Sequence, residues 1–198
     1  MRRYPLIETE RLVLRLIRAS DAAAVFEYAK IPGIGEAAGW LTHTTMKESK
    51  RFIQDVLFRR TPHEPGPFAL TLKPSDALIG VIELHTFVAG FKAQLGMVIH
   101  PDYQRQGLMY EATLAMLVYG FEHLNLKRIS YHYFPDNAAS KALCEKLPLM
   151  YEGLARHHFM MPDGRLKDSH VSAITAKDYK GQYASFFKGV KDKVNIDF

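Results

Sequence analysis

The segment that decides the fold is residues 97–112, Met97-Val98-Ile99-His100-Pro101-Asp102-Tyr103-Gln104-Arg105-Gln106-Gly107-Leu108-Met109-Tyr110-Glu111-Ala112. A β-strand ends here, a short polar loop follows, and a long helix begins at once. The first backbone N–H groups of a helix have no partner within it, and the helix dipole favours negative charge at that end. Gly107 lets the backbone approach a ligand, and Arg105 can add a charged contact. The pattern predicts a pyrophosphate cradle, although a loop with one glycine also serves as a plain connection.

The flanking segments place this loop between two parallel strands. A strand from about Ala93 to Ile99 precedes it, and a helix that is apolar on almost every side follows from Leu108 to about Leu124. A second strand then runs from Lys127 to Phe134. Strand, helix and strand in this order form a crossover unit with parallel neighbours. A helix so apolar is expected to be central and buried.

The rest of the chain adds strands and helices around that unit. An alternating strand spans Arg11–Ile17, and Ser20 and Asp21 offer cap oxygens to a helix that runs toward Lys30. A loop ending at Trp40 leads to a helix from Thr45 to about Arg59. The remaining pattern comprises strands at 68–72, 78–87, 149–160 and 168–176, and a C-terminal helix with Tyr179, Tyr183, Phe187, Val190 and Val194 on one face.

These elements predict an α/β (α+β) fold with a mixed, mostly antiparallel central sheet of about six to seven strands flanked by helices. Hydrophobic residues make up 47% of the 198 residues and charged residues 24%, as in ordinary globular proteins. No internal repeat is present and no linker is long enough to divide the chain. We therefore expect a single domain over residues 1–198.

Charge and cysteine content narrow the partners and the compartment. The net charge of +5 is compatible with an anionic ligand, but the basic residues are scattered, so nucleic acid is not an expected partner. Cys144 is the only cysteine, which favours a reducing compartment. Glu8, Glu10 and Arg11 interrupt any signal-like apolar stretch, and no apolar run reaches membrane-spanning length. We expect a cytoplasmic protein with no membrane partner, and the histidine spacing predicts no metal.

A second segment, Pro135 to Lys146, follows the strand that ends at Phe134. On a helix, its residues Asn137, Ser140, Lys141 and Cys144 share one face, because they are three or four positions apart. That face would carry amide, hydroxyl, ammonium and thiol groups beside the first cradle. The simpler interpretation is an N-cap at Asn137 and a solvated helix face.

Together the two segments resemble the GNAT N-acetyltransferases. Residues 104–109 look like that family's acetyl-CoA signature, Gln/Arg-x-x-Gly-x-Gly/Ala, and the opening Glu8-Thr9-Glu10-Arg11-Leu12-Val13-Leu14-Arg15 resembles the RimJ/RimL-type branch, which acetylates N-termini of ribosomal proteins. Further matching segments are 78–85, 94–96, 136–140, 151–156 and 163–168. The resemblance covers about residues 8–176, which leaves 177–198 as a C-terminal helical extension.

The resemblance implies the acyl-CoA N-acyltransferase fold, acetyl-CoA as cosubstrate and no metal. The pantetheine arm would lie between the strands 93–99 and 128–134, which splay apart in the family. The residues implied for cofactor binding are Met97, Val98, Ile99, Gln104, Arg105, Gln106, Gly107, Leu108, Met109, Tyr110, Asn137 and Ser140. The acceptor would be a small-molecule or peptide amine, admitted near Trp40, and the protein a monomer or homodimer.

Two residues are catalytic candidates. Ser140 could donate a hydrogen bond on the thioester side, with helix polarity as the alternative interpretation. Glu83, with His85 on the same strand face, could act as a base through water, while the simpler interpretation is a pair facing solvent. A base is not obligatory for an N-terminal amine of pKa roughly 8, but a lysine amine of about 10.4 requires one more strongly.

Four positions depart from the family pattern. Gln94 stands where the branch often has glutamate, and Met109 stands where glycine or alanine is usual. Cys144 replaces a tyrosine proton donor found in many relatives, and Pro148-Leu149 replaces Gly-Phe. The sequence thus favours acetyl transfer from acetyl-CoA to a primary amine by direct attack in a ternary complex. A catalytically weak CoA-binding or sensor protein of the same fold is the alternative.

Overall fold

The protein is described by a computed structural model over residues 4–59 and 65–198. The strands are β1 Leu6–Glu8, β2 Leu12–Leu16, β3 Phe68–Leu72, β4 Leu78–Val88, β5 Lys92–Ile99, β6 Arg128–Tyr133, β7 Met150–Met160, β8 Leu166–Thr175 and β9 Asn195–Asp197. The α-helices are α1 Ala22–Ala29, α2 Ile34–Ala38, α3 Met46–Arg59, α4 Leu108–Val118, α5 Ala138–Cys144, α6 Ala176–Lys180 and α7 Ala184–Lys191. Of the predicted loop between α3 and β3, Pro62 lies outside the described residues.

The strands of the described residues form one sheet in the order β7-β8-β6-β5-β4-β3-β2-β1-β9. Every neighbouring pair is antiparallel except β5 and β6, which are parallel. The predicted mixed, mostly antiparallel fold is confirmed. The strand count is nine rather than six to seven, because β1 and β9 have three residues each and are too short to show an alternating pattern.

Strands β5 and β6 separate part of the way along their length. They pair from Lys92–Arg128 to Leu95–Tyr131, and no later pair joins them in the part of the chain that the structure describes. Beyond this point β5 stays paired with β4 as far as Ile99, and β6 stays paired with β8 as far as Tyr133. Each strand is therefore held by its outer neighbour while a gap opens between the two. This is the splayed geometry that the family resemblance implies.

Helix α4 lies against one face of the sheet and is almost entirely buried, as its composition predicted. It continues as a single π-helical turn, Tyr119–His123. A side chain at Gly120 in this turn would come within 2.5 Å of Ile129 on β6, so glycine permits the close approach. Helices α1 and α3 cover the opposite face, where Val25, Tyr28 and Ile53 form a second core cluster.

The C-terminal residues differ from the single predicted helix. The chain forms α6 and α7 on either side of Gly181 and ends in β9, which pairs with β1. Phe187 on α7 is buried against Tyr179, so the apolar residues of the predicted face do reach the core. No helix in the described parts of the chain is both long and apolar enough to cross a membrane.

Arg15 on β2 is buried, although the alternating pattern placed it on the polar face. Its guanidinium forms a two-pronged ion pair with Asp21, at 2.8 and 2.9 Å, and a further one with Asp76 at 2.6 Å. The side chains of Arg15 and Asp21 are 6% and 7% exposed. The sequence predicts that the Asp21 side chain caps α1, and this is wrong. The Asp21 carboxylate instead accepts hydrogen bonds from the Arg15 side chain and the backbone N–H of Arg18.

Candidate functional site

The gap between β5 and β6 opens into a cleft of about 910 Å³. Its walls include Gly96 and Met97 from β5, and Tyr131, His132 and Tyr133 from β6. Ser140 on α5 lines it as well, whereas Lys141 is exposed and faces Glu145. The predicted shared face of α5 therefore brings Ser140 and Cys144 inward, but not Lys141. A cleft of this size accommodates an extended small-molecule chain.

The predicted pyrophosphate loop lies at the start of α4. Arg105 and Gly107 both have left-handed backbone conformations, with φ of +60° and +77°. No side chain of the described residues caps α4, and the Gly107 carbonyl accepts from the N–H of Glu111. The N–H groups before Glu111 are therefore available at the positive end of the helix dipole, which is the requirement for an anion site.

The predicted cofactor residues of this loop divide into two groups. The side chains of Arg105 and Gln106 are exposed beside Gly107, so these three can meet a ligand directly. Leu108 is buried in the core, and Met109 and Tyr110 pack against it. The Met109 side chain thus points into the protein and not into the cradle. For Leu108 to Tyr110, only the backbone is placed to contact an anion.

Thr9, Arg11 and Glu111 hold the loop in place, a role that the sequence did not reveal. Glu111 accepts from the Thr9 hydroxyl at 2.6 Å and from the Arg11 backbone N–H at 2.9 Å. The Arg11 guanidinium bonds to Glu111 at 2.7 Å and donates to the Gln106 carbonyl at 3.0 Å. Partial burial opposes ionisation of Glu111, but these bonds lower its pKa, so the carboxylate is charged. The sequence pattern predicts a strand at Arg11–Ile17 and a family resemblance at Glu8–Arg15, but no contact between Arg11 and Glu111.

Replacing Gly107 with alanine should weaken the affinity for acetyl-CoA, the cosubstrate that the family resemblance implies, about 5- to 10-fold. A left-handed alanine costs about 1–2 kcal/mol, which the free loop can relieve by leaving the conformation that a ligand needs. Calorimetric titration measures this. Gly90→Ala is the matched control, since Gly90 also has positive φ, +66°, but lies in the distant β4–β5 turn. Equal affinities for both variants would show that the loop conformation does not contribute to binding.

Tyr131 on β6 presents a buried hydroxyl to the cleft. Its side chain is 2% exposed, and its hydroxyl oxygen forms no hydrogen bond of normal geometry with the described residues. Burial raises the pKa of Tyr131, an effect that the nearby Ser140 hydroxyl only partly opposes. Buried polar groups are nearly always paired, so an unpaired one calls for an explanation, and a ligand is one. Tyr131 is not among the site residues predicted from the sequence.

Cys144 and Asn137 occupy the two ends of α5. Cys144 is buried, and burial raises the pKa of its thiol, so it stays protonated. Asn137 is the N-cap of α5, since its side-chain oxygen accepts from the Ser140 N–H at 2.9 Å. Its side-chain nitrogen donates to the Ala37 carbonyl of α2 at 3.0 Å. Asn137 thus joins α5 to α2, and Ser140 is the predicted residue of this helix that reaches the cleft.

Glu83 and His85 lie on β4, which is an interior strand, so they do not face solvent at a strand edge. A side chain built at Gly96 on the paired strand would come within 2.9 Å of His85 and 3.2 Å of Glu83. Both groups therefore extend over Gly96 at the point where the cleft opens. Gln94, on the same strand as Gly96, lines the cleft without a carboxylate.

Burial shifts the ionisation of both groups toward the neutral form. It raises the pKa of Glu83 and lowers the pKa of His85. The Nδ1 atom of His85 is 2.9 Å from the hydroxyl of Thr86, a residue with the unusual φ of +50°. Because Nδ1 has this partner, Nε2 remains for a ligand. A carboxyl of raised pKa beside a neutral imidazole is suited to accepting a proton from an amine.

His132 and His158 lie farther along the cleft, with ring centroids 5.1 Å apart. Burial, and then the charge of His158 and His85, lower the pKa of His132 to about 4. His132 is thus neutral at physiological pH, and its Nδ1 atom has no partner among the described residues. In the part of the chain that the structure describes, no three histidine, cysteine, aspartate or glutamate side chains are grouped to hold a metal ion.

A smaller pocket of about 150 Å³, termed the side pocket, adjoins the cleft. It lies between β4–β5 and the helices α1 to α3, and its lining includes Val25, Tyr28, Ala29, Trp40, Phe52 and Val81. Ala38, Glu83, His85, Gly96 and Met97 line both cavities. Glu83 and His85 therefore lie where the cleft and the side pocket meet. Trp40 is partly buried in this wall, where its ring packs on Gly35.

Comparison with known proteins gives consistent matches. A family model described as an acetyltransferase (GNAT) domain matches residues 11–149. The chain is 34% identical over 191 residues to the alanine N-acetyltransferase of ribosomal protein uS5 from Escherichia coli, covering 87% of this chain and 92% of that protein. It is 28% identical over 172 residues to YoaA of Bacillus subtilis, named as an N-acetyltransferase, covering 86% and 97%. A solved GNAT-family acetyltransferase from Bacillus anthracis shares 25% identity at a TM-score of 0.76, covering 87% and 99%.

Proposed function

This chain belongs to the GNAT acetyltransferase family, and we therefore propose that it moves an acetyl group from acetyl-CoA to the primary amine of a protein N-terminus or a small molecule. One observation carries the proposal: Glu83 and His85, which extend over Gly96, line the same β5–β6 cleft as the buried Tyr131 hydroxyl. A proton acceptor and a proton donor thus line one cleft. The relative named as an alanine N-acetyltransferase of ribosomal protein uS5 supports an amine acceptor.

The residues present fit acetyl-CoA. The unpaired edges of β5 and β6 offer backbone groups to the pantetheine amides, and the uncapped start of α4 offers N–H groups to the pyrophosphate. Met97, Val98 and Ile99 on β5, the loop residues Gln104 to Tyr110, and Ser140 would hold it. When bound, acetyl-CoA supplies the acetyl group as a thioester. Asn137 supports the site by capping α5 and contacting α2.

The remaining chemistry belongs to side chains of this protein. The amine nitrogen must be neutral to attack, and Glu83 accepts the proton that it loses, directly or through water. The positioning of the two reactants and the exclusion of water contribute the rest of the rate enhancement. Tyr131 and Ser140 line the cleft from β6 and α5, and the Tyr131 hydroxyl would donate a proton to the departing sulfur and regain one from solvent. Because the Tyr131 pKa is raised, the hydroxyl carries its proton throughout the physiological range.

The alternative of a weak CoA-binding or sensor protein rested on Gln94 and Met109. Glu83, on the strand paired with β5, supplies a carboxylate near Gln94, and Met109 points away from the cradle. Neither position therefore argues against catalysis. The test is a thiol-release assay with acetyl-CoA over a panel of amines and N-terminal peptides, beside calorimetric titration of CoA. Turnover with binding supports the enzyme, binding alone supports the sensor, and no binding overturns both.

Tyr131→Phe should lower kcat about 10-fold with little change in the melting temperature. A thiol of pKa about 8.5 can leave as the thiolate, without being protonated first. The expected decrease in kcat is therefore at the low end of the range for removal of a general acid. Stability is retained because no described hydrogen bond is lost. Tyr179→Phe is the matched control: Tyr179 is also 2% exposed, but its hydroxyl donates to Glu122, an exposed residue of the π-helical turn that does not line the cleft. Tyr179→Phe should lower the melting temperature and leave kcat unchanged. A loss of kcat in Tyr179→Phe but not in Tyr131→Phe would contradict the role proposed for Tyr131.

A further inference from the structure

The lining of the side pocket is apolar and aromatic. Val25, Tyr28, Ala29 and Val81 are each at most 6% exposed, and the pocket is closed by Trp40 in the loop after α2 and by Phe52 on α3. Val98 on β5 also lines the side pocket. A group that enters the side pocket thus meets aliphatic and aromatic surface on all these sides.

The volume of the side pocket limits what it can hold. An apolar cavity of about 150 Å³ is known to accept one benzene-sized molecule. The side pocket, at about 150 Å³, therefore takes a group of about six carbon atoms. An entire acceptor molecule of drug size does not fit, since such ligands occupy about 300 Å³ or more. The side pocket is suited to one side chain of an acceptor whose remainder lies outside.

The charge distribution places the amine at the mouth of the side pocket. Among its described lining residues, Glu83 is the one carboxylate, and it stands where the side pocket joins the cleft. Lysine, arginine and aspartate are absent from that lining. Burial lowers the pKa of His43 and raises that of Tyr28, so both are neutral. A second ammonium group inside the side pocket would be buried without a counter-charge, which is costly.

Resting on the proposed function, we propose that the acceptor is a primary amine whose adjacent carbon carries a compact apolar group of about six heavy atoms or fewer. The amine lies at Glu83 over Gly96, and the apolar group enters the side pocket. N-terminal leucine, isoleucine and methionine, and the corresponding free amino-acid amides, meet this description. Polyamines and polar antibiotic amines, which carry several cationic groups, do not.

The test compares acceptors that differ in one group. Four peptides identical except for a first residue of Gly, Leu, Phe or Asp are assayed beside leucinamide and spermidine. We expect kcat/KM for the Leu peptide to exceed that for the Gly peptide about 10- to 100-fold, the factor for burying one leucine side chain. Leucinamide matching the Leu peptide would identify a small-molecule acceptor. A large preference for the Leu peptide would identify a polypeptide. Both results support the proposal. Equal kcat/KM values for the Gly and Leu peptides, or a preference for spermidine, overturn it.

Variants of the pocket wall make the test specific. Ala29→Leu fills the side pocket and should abolish the preference for Leu over Gly, while Ala23→Leu makes the same change on the exposed side of α1 and should keep it. If Ala29→Leu fails to fold, Phe52→Ala enlarges the pocket from the more exposed helix α3 and should shift the preference from Leu toward Phe. An unchanged preference in folded Ala29→Leu or in Phe52→Ala overturns the proposal.

These outcomes separate the two hypotheses. Acetylation of amines without any apolar preference would leave the proposed acetyltransferase function intact and reject only the inference on the acceptor. Acetyl-CoA binding with no acetylation of any acceptor in the panel would reject both. The affinity of each variant for acetyl-CoA, measured by calorimetry, shows whether the cleft is still formed.

Discussion

Replacing Arg15 with methionine should lower the free energy of unfolding by about 3–5 kcal/mol, measured by denaturant titration. The reason is the charge left behind: Asp21 is 7% exposed and would keep the Arg18 backbone N–H but lose both guanidinium hydrogen bonds. A buried carboxylate without its counter-charge costs far more than an absent surface pair. Methionine approximates the length of the arginine stem, so lost packing is a minor contribution.

Arg18→Ala is the matched control for this prediction. Arg18 also pairs with Asp76, at 2.7 Å, but its side chain is 56% exposed and that of Asp76 is 63% exposed. Exposed pairs contribute about 0–1 kcal/mol, so this variant should be nearly as stable as the parent. The double variant Arg15→Met, Asp21→Leu should recover part of the loss, because it removes the unpaired charge. Equal stability of Arg15→Met and Arg18→Ala would refute the interpretation.

Glu83→Gln should lower kcat/KM about 100-fold at pH 7 and about 10-fold or less at pH 9. Glutamine cannot accept a proton, so the variant depends on amine that is already neutral. An α-amine of pKa roughly 8 is about one-tenth neutral at pH 7 and mostly neutral at pH 9. The measurement is a pH profile of initial rates for both proteins with a single N-terminal peptide.

Two comparisons make the Glu83 prediction specific. Gln94→Glu in the Glu83→Gln background places a carboxylate on the same cleft wall, and it should restore part of the rate at pH 7. A rate loss of the same size at pH 7 and pH 9 would show that Glu83 contributes by shape or hydrogen bonding and not as a base. No loss at either pH would remove Glu83 from the mechanism.

Stability should distinguish lost catalysis from lost folding in the Glu83 variant. Burial raises the pKa of Glu83, so the folded state binds a proton that the unfolded state has released at about pH 4.3. Stability from this group is therefore complete below that pH and declines as the pH rises through the folded-state pKa. Above that pKa the buried carboxylate is a net cost. Glu83→Gln removes this cost, and we expect the melting temperature at pH 7 to be unchanged or higher.

The sequence predicted the central part of the fold because the signals there are local. The change from strand to loop to helix at residues 97–112 appears within one or two residues of its observed bounds, since Gly107 and the apolar run of α4 mark it directly. The resemblance to the GNAT acetyltransferases is confirmed by the match over residues 11–149. The short edge strands β1 and β9 and the break at Gly181 depend on long-range pairing and packing, so no local pattern reveals them.

The site was predicted less completely than the fold. Ser140 and Glu83 do reach the cleft, because their spacing on a helix and a strand fixed the direction of each side chain. Tyr131 was missed because a tyrosine in a strand is usually core, and only its unpaired buried hydroxyl distinguishes it. The Thr9–Arg11–Glu111 contacts join positions about 100 residues apart, which a single sequence cannot pair. The side pocket combines three helices with two strands and has no linear signature.

The most direct test of acetyl transfer to an amine follows both products in one reaction. Protein, acetyl-CoA and a Leu-starting peptide are incubated, free thiol is measured, and the peptide is analysed by mass spectrometry. The predicted result is one acetylated N-terminus for each thiol released, with almost no thiol when the peptide is omitted. Thiol release that is the same with and without peptide, leaving the peptide unmodified, would contradict the account, because the site would then direct water and not an amine to the thioester.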